Sequence, residues 1–102
     1  MTISVLTPDR KIFVGLASKL TLPGTDGTFQ LLDNHAPLVS SLRGGRVVVQ
    51  AGAGEYTYYD EAKDAEAIGT DSRSITFTID GGFVEVLNNE VNLLVQGARN
   101  MR

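Results

Sequence analysis

The chain holds a single histidine, His35, and the first chemical question is whether its neighbours make it a base. Asp33 stands two residues before it and Ser40 and Ser41 follow, the residue types of an orienting acid, a base and a nucleophile. On an extended segment residues i and i+2 share a face, so the Asp33 carboxylate would lie beside the ring with nothing to fix one tautomer. A histidine in a turn or at an interface is the simpler reading. A metal site would have to use this one His, no Cys, and the acids Asp60, Glu61, Asp64 and Glu66. That set lacks the glycine and terminal glutamate spacing of a calcium loop, and on a helix it would spread around the cylinder, so a solvated face and no metal are expected. The stretches "GTDGT" and "AGAGEY" could be phosphate cradles. Each leads into strand-like sequence, however, and neither carries the Gly-Lys-Ser/Thr ending, so both read as turns and no cofactor is expected. Tyr56, Tyr58 and Tyr59 could stack a sugar or a base, although tyrosines at i and i+2 more simply form one face of a strand with wet hydroxyls.

The elements that must position these residues are strands. In "SITFTID" Ile75, Phe77 and Ile79 share one face, and in "EVNLLVQ" Val91, Leu93 and Val95 do the same. Leu20 with Leu22, and Phe29 with Leu31, repeat the alternation. "RVVVQ" is continuously β-branched, which predicts a central strand buried on both faces through Val47, Val48 and Val49. Turn signals separate these runs, and "LNNEV" is the clearest hairpin, because Asn88 and Asn89 tolerate the positive φ of a tight turn. Gly81 and Gly82 mark a structural bulge or bend. The exception is "YYDEAKDAEAIG", residues 58–69, whose Glu, Ala and Lys favour helix, with Asp60 as N-cap and Gly69 as stop. Its apolar anchors beyond alanine are only Tyr59 and Ile68, so any helix there is short. The expectation is an all-β fold, two packed sheets of short, mainly antiparallel strands, as one domain over residues 1–102, with an acidic insertion at about 51–73.

The totals exclude several classes. Nine Lys plus Arg against twelve Asp plus Glu give a net charge of −3, which leaves no basic surplus for nucleic acid. With no cysteine, thiol catalysis and disulfides are out. The apolar runs are too short to cross a bilayer, and "MTISVLTPDRK" has no signal-peptide pattern, so a membrane is expected to matter only through a partner.

Taken in order, three blocks resemble the N-terminal β-sandwich of the epsilon subunit of F-type ATP synthase, called delta in mitochondria. They are Phe13 to Gly15 (F.G), Pro23 to Val47 (PG..G.F..L..HAPL...L..G.V) and Gly81 to Leu94 (GGF.EV..N.V..L). The resemblance implies a non-catalytic rotor subunit that links the gamma subunit to the c-ring. It assigns Gly24, Thr25, Asp26, Gly27 and Thr28, with Gln30 and Asp33 near them, to the c-ring side. It assigns His35, Ala36, Pro37, Leu38 and the segment to Leu42 to gamma. Many relatives have an acid at the place of Thr28 and a glycine at that of Gln30, and a "PGH" where Asp33, Asn34 and His35 stand.

In longer relatives a C-terminal helical hairpin follows the sandwich. This sequence stops at "QGARNMR", where that hairpin would begin, so no hairpin-type inhibition and no ATP binding are expected of it. The resemblance further implies a place on the cytoplasmic face of a bacterial inner membrane. The region Ala51 to Arg73 is longer than the family's usual turn and is expected to form a hairpin extension or a short helix that adds a contact with gamma or a neighbour. The rival readings are a free-standing β-sandwich that binds carbohydrate or peptide and, further back, a hydrolase using His35.

Overall fold

The apolar alternations named above all become strands in the computed structural model, which describes residues 1–52 and 54–101. In chain order these are β1 (Thr2–Leu6), β2 (Lys11–Gly24), β3 (Gly27–Leu32), β4 (Leu38–Ala51), β5 (Tyr56–Asp60), β6 (Ala65–Gly69), β7 (Ser74–Leu87) and β8 (Glu90–Gln96). They run in the order β1-β8-β7-β4-β2, and β2 pairs with β1 again, so the sheet closes on itself as a sandwich with barrel-like continuity. All these pairings are antiparallel except β1 with β8.

Three strands of 14 residues, β2, β4 and β7, belong to both layers. The first half of β2 pairs with β1 and β5, and its second half with β3 and β4. Each long strand changes the parity of its buried residues on the way. In β7 the buried set passes from Ile75, Phe77 and Ile79 to Val84 and Val86, and in β4 from Leu42 to Val47, Val49 and Ala51. Because side chains alternate across a strand, a parity change turns the strand from one layer to the other while both halves keep pointing into one core. Ile3, Val5, Phe13, Leu20, Leu31, Phe77 and Leu93 are fully enclosed there.

The parity changes sit where glycine permits them. Gly81 and Gly82 form a bend and not a bulge, since pairing stays in step with β4 (Arg43 with Gly81, Leu42 with Gly82) and with β8 (Gly81 with Gln96, Gly82 with Val95). On β4 the irregularity against β2 falls between the partners of Thr21 and Gly24, beside Pro23. Proline has no N–H for the ladder, and a Cβ on Gly45 would come within 2.9 Å of the Pro23 side chain. The Asn88–Asn89 hairpin is as expected, with φ of 53° and 60°. Val48 departs from expectation: β4 is central, but Val48 is only half-buried, so its outer face is partly covered rather than enclosed.

The helix at 58–69 is not formed; β5, a turn and β6 make the hairpin alternative, while Ala53 in the expected insertion lies outside the described residues. The reason is visible in what the helix signals do instead. The Asp60 carboxylate accepts the N–H of Ala62 (3.1 Å), an Asx turn and not a helix cap. The Lys63 and Asp64 amides bond back to the carbonyls of Asp60 and Glu61, and Asp64 at φ 49° ends the turn after four residues. Thr57, Tyr58 and Tyr59 are strand formers, and the core offers an aromatic site to Tyr56 that a short Ala-rich helix has no side chains to fill.

Gly82 carries the bend at φ 150°, and a Cβ there would fall onto the Leu94 carbonyl oxygen and within 2.9 Å of the Val95 Cα, whereas a Cβ on Gly81 meets only the Leu42 oxygen at 3.6 Å. Gly82→Ala is therefore expected to lower unfolding free energy by about 3 kcal/mol and Gly81→Ala by under about 1 kcal/mol. Urea titration of both variants checks the contrast, and equal losses would show that the bend does not depend on Gly82.

Candidate functional site

The predicted site residues fall into two groups at opposite ends of β3. Gly24 to Thr28 form a tight hairpin in which Gly24 pairs with Gly27 and only Thr25 and Asp26 lie between the strands. The Thr25 amide reaches the Ser41 carbonyl (3.4 Å), so this turn leans on β4. A shallow depression of about 350 Å³ is lined by Gly24 to Phe29 together with Leu38 and Ser40, which brings the turn and the start of β4 onto one surface. Gln30 is exposed midway along β3. Asp33 is at the far end, roughly 16 Å of strand from Thr28 at 3.3 Å per residue, so the set assigned to the c-ring does not form one patch.

Asp33 is also occupied. Its carboxylate pairs with the Met1 amino group, which in turn donates to the Ala17 carbonyl (3.1 Å). The His35 ring turns the other way, with Nδ1 2.7 Å from the Ala36 carbonyl oxygen, and the Ser40 hydroxyl bonds to the Ser41 carbonyl (3.4 Å). The three residue types of a triad are thus present without its geometry. The turn that carries His35 is fixed from outside: the Asn34 N–H donates to the Asn89 side chain (2.8 Å), with Asn34 at φ 62°, and the His35 N–H donates to the Leu32 carbonyl. His35, Ala36 and Pro37 are exposed on it. Leu42 is not a surface residue, being 5% exposed and part of the core, and Leu38 is half-buried against that core. On this strand the side chain that stands out is Val39, at 72%.

The outer face of β4, β7, β8 and β1 carries a feature the alternation argument passed over. Phe83 is paired with Leu94 across β7 and β8, and Leu94 with Leu6 across β8 and β1, all pointing away from the core. Phe83 and Leu94 are both exposed, and with Leu6, Pro8 and Gly82 they line a concavity of about 410 Å³. The signal was the doubled apolar residue in "FV" and "LLV", which places one apolar side chain on each face of the strand.

The tyrosines do not make an open platform. Tyr56 is 2% exposed, stacked on Phe13 with ring centroids 5.5 Å apart and closed in by Gly15 and Gly69. Its hydroxyl donates to Asp71 (3.1 Å) and accepts from the Arg73 Nε–H (3.0 Å), while the Arg73 guanidinium lies over the Tyr58 ring. Tyr59 faces the other side, where its hydroxyl donates to Asp64, Arg10 donates to the same carboxylate (3.2 Å), and the Arg10 guanidinium stacks over the ring at 4.4 Å. Three of the four acids considered as a metal set are spent separately, Asp60 on the turn, Asp64 on Tyr59 and Arg10, and Glu61 on the Asn100 amide (3.1 Å), while Glu66 stands exposed on β6.

Comparison with known proteins follows the same fold. The family described as ATP synthase, Delta/Epsilon chain, beta-sandwich domain matches residues 1–60, up to the last residue of β5. An ATP synthase epsilon chain of Synechocystis sp. is 37% identical over 98 residues, 96% of this chain and 58% of that protein. One of Salinibacter ruber is 31% identical over 96 residues, 94% of this chain and 58% of its own length. The epsilon chain of Chlorobium limicola is 31% identical over 94 residues, 92% of this chain and 86% of that one. The chain therefore spans less than three-fifths of several relatives and most of another. Among solved structures, a chain of the Tetrahymena thermophila mitochondrial ATP synthase central stalk and c-ring superposes with a TM-score of 0.67 at 17% identity, covering 97% of this chain and 65% of that one. A chain of the Euglena gracilis mitochondrial ATP synthase does so at 0.68 and 19%, covering 95% and 51%. At these identities the structures speak for the fold alone.

The Arg10–Tyr59–Asp64 cluster links the hairpin to the charge on Asp64. The Tyr59 hydroxyl and then Arg10 hold the Asp64 carboxyl below its ordinary range, and the same bond raises the Tyr59 phenol. A depressed carboxyl stabilises the fold above its unfolded pKa, and the contribution is lost as pH falls through the folded value. Amide protection factors in β5 and β6, taken relative to the intrinsic exchange rate at each pH, are expected to fall on acidification below the usual carboxylate range, and Asp64→Asn to abolish that dependence. Unchanged pH dependence in the variant would show that Asp64 is not the group responsible.

Proposed function

The chain belongs to the delta/epsilon family of ATP synthase subunits, and on that premise we propose that it is a non-catalytic central-stalk subunit that ties gamma to the c-ring and so supports the coupling of ion flow to ATP synthesis. The observation that carries this reading is the outer face built around Phe83 and Leu94, with Val39 on the next strand. One face of an antiparallel sheet normally meets water through polar side chains, and an apolar strip there fits a surface that another subunit covers. The strip adjoins the start of β4, whose pairing with β7 begins at Leu38 beside Val86. Gamma docks on Val39, Phe83 and Leu94 together with His35 to Pro37, while Leu42 belongs to the core and not to the contact.

The polar turn at Thr25 and Asp26, at the end of β3 away from Asp33, is the counterpart that rests on the c-ring. Both regions are tied to continuous ladders, so load applied at one end passes into hydrogen-bonded strands and not into a flexible loop. In this role the chain meets the membrane peripherally, through the complex, on its cytoplasmic face. No helix among the described residues is long and apolar enough to cross a membrane. The carbohydrate-platform alternative has no support in the closed-in Tyr56 ring.

The test is binding to the gamma subunit of the same complex. Phe83→Asp is expected to keep the fold and weaken binding by thirtyfold or more, the scale of a hot spot of about 2 kcal/mol. Leu42→Ala is expected instead to lower fold stability by about 3 kcal/mol. Calorimetric titration and denaturant unfolding separate the two, and gamma binding indifferent to Phe83→Asp would remove this face from the interface.

A further inference from the structure

We infer that the free edge of β6 is a second protein-binding surface, which takes an extended basic segment of another protein as an added strand. β6 ends the sheet on one side, and among the described residues nothing pairs with its outer edge. Exposed edges are ordinarily blunted by shortness, charged side chains, proline or a bulge. Ala65–Gly69 reads AEAIG, short but with no lysine or proline and in unbroken register with β5, so its one blunting charge is Glu66, which repels acidic strands and leaves the edge open to a basic one. Ile68 stands out from this edge strand at 65% exposure, although it lies opposite Thr57 on a face with little apolar cover.

The edge is also held ready. Tyr56 is locked between Gly15, Gly69 and Phe13 at the base of the hairpin, and Arg10, Tyr59 and Asp64 pin its turn to the β1–β2 connection. A rigid edge loses little entropy when a strand adds to it.

Charge selects the occupant. Residues 55–71 contain six of the twelve acids and one of the nine bases, a net −5, while the rest of the chain carries +2. Self-pairing of two copies through β6 would bring two such acidic segments together, with Glu66 near its own copy, and like charges across strands are destabilising. A partner strand with lysine or arginine facing Glu66 and an apolar residue facing Ile68 satisfies both side chains while its backbone satisfies the edge. One row of paired residues runs from Glu85, two positions after Phe83 on β7, through Asn92, Ser4, Val14 and Thr57 to Ile68, so four strands lie between this surface and β7, and its failure would leave the gamma assignment untouched.

The probe is the peptide acetyl-Lys-Thr-Val-Thr-Lys-Thr-Lys-amide, titrated into the isotope-labelled full chain and read by amide shifts and amide exchange. Expected are shifts and slowed exchange confined to Ala65–Gly69, loss of both when glutamate replaces lysine in the peptide, and at least tenfold weaker binding in high salt and in Ile68→Lys with Glu66→Lys. Absence of shifts at millimolar peptide, shifts centred on β3, equal binding of the glutamate peptide, or peptide-independent dimerisation through β6 would each overturn the inference. The salt and glutamate-peptide arms use the unmodified chain, so they decide the matter even if the double variant loses its hairpin.

Discussion

The structure depends on a constraint of parity. Each strand that serves both layers of this closed sheet buries residues of one parity before the corner and of the other parity after it, and the change falls where the backbone leaves the regular pleat. In β7 that place is Gly81–Gly82, in β4 it is Gly44–Gly45 beside Pro23, and in β2 it is the bulge between Ala17 and Lys19. Remove a corner and half of each long strand would present its polar face to the core. The same corners make the body stiff, because β2, β4 and β7 carry ladder bonds through both layers without an intervening loop.

Stiffness of this kind determines where recognition can be placed. Short turns at strand ends inherit the rigidity of the ladders, as at Thr25–Asp26, and the turn carrying His35 gains it from the bond between Asn34 and Asn89. A ring nitrogen, a serine hydroxyl and a carboxylate sit within a few residues of one another, yet His35 and Ser40 each bond to the backbone carbonyl of the next residue and Asp33 to the Met1 amino group. The local chain geometry spends these groups on holding the turn, which leaves surface shape and the apolar strip as its means of action.

Most of the fold was legible because alternation is a direct record of which face is buried: Ile75 to Ile79 and Val91 to Val95 read correctly from pattern alone. Of the two forms open to residues 58–69, a short helix or a hairpin, local propensity favours the helix and the structure takes the hairpin, because the deciding contact is not local. Tyr56 meets Gly15 from a strand 41 positions away, and nothing in "YYDEAKDAEAIG" records that. Asp60 looked like a cap because an Asx turn and an N-cap use the same carboxylate-to-amide bond. Leu42 was assigned to the surface because it follows an exposed turn, although its parity belongs with the core side of β4. The outward Phe83 and Leu94 were hidden for a related reason: an argument that looks for the buried set stops once it has found one.

The hairpin shows how an addition can be grafted without disturbing such a body. β5 joins the closed sheet through only Phe13 and Val14, so it asks little of the existing register. What secures it is one large ring set over two glycines: Tyr56 supplies the side-chain cover that Gly15 and Gly69 lack, and its hydroxyl is met by Asp71 and Arg73 at the exit of the excursion. An aromatic laid across glycine restores packing that an isolated glycine in a strand forfeits. Because that anchor lies at the base, the outer strand is free of structural duty and retains an open edge. The acidic residues gathered around it then act as a filter on what that edge can accept, leaving the parity-bound core unaffected.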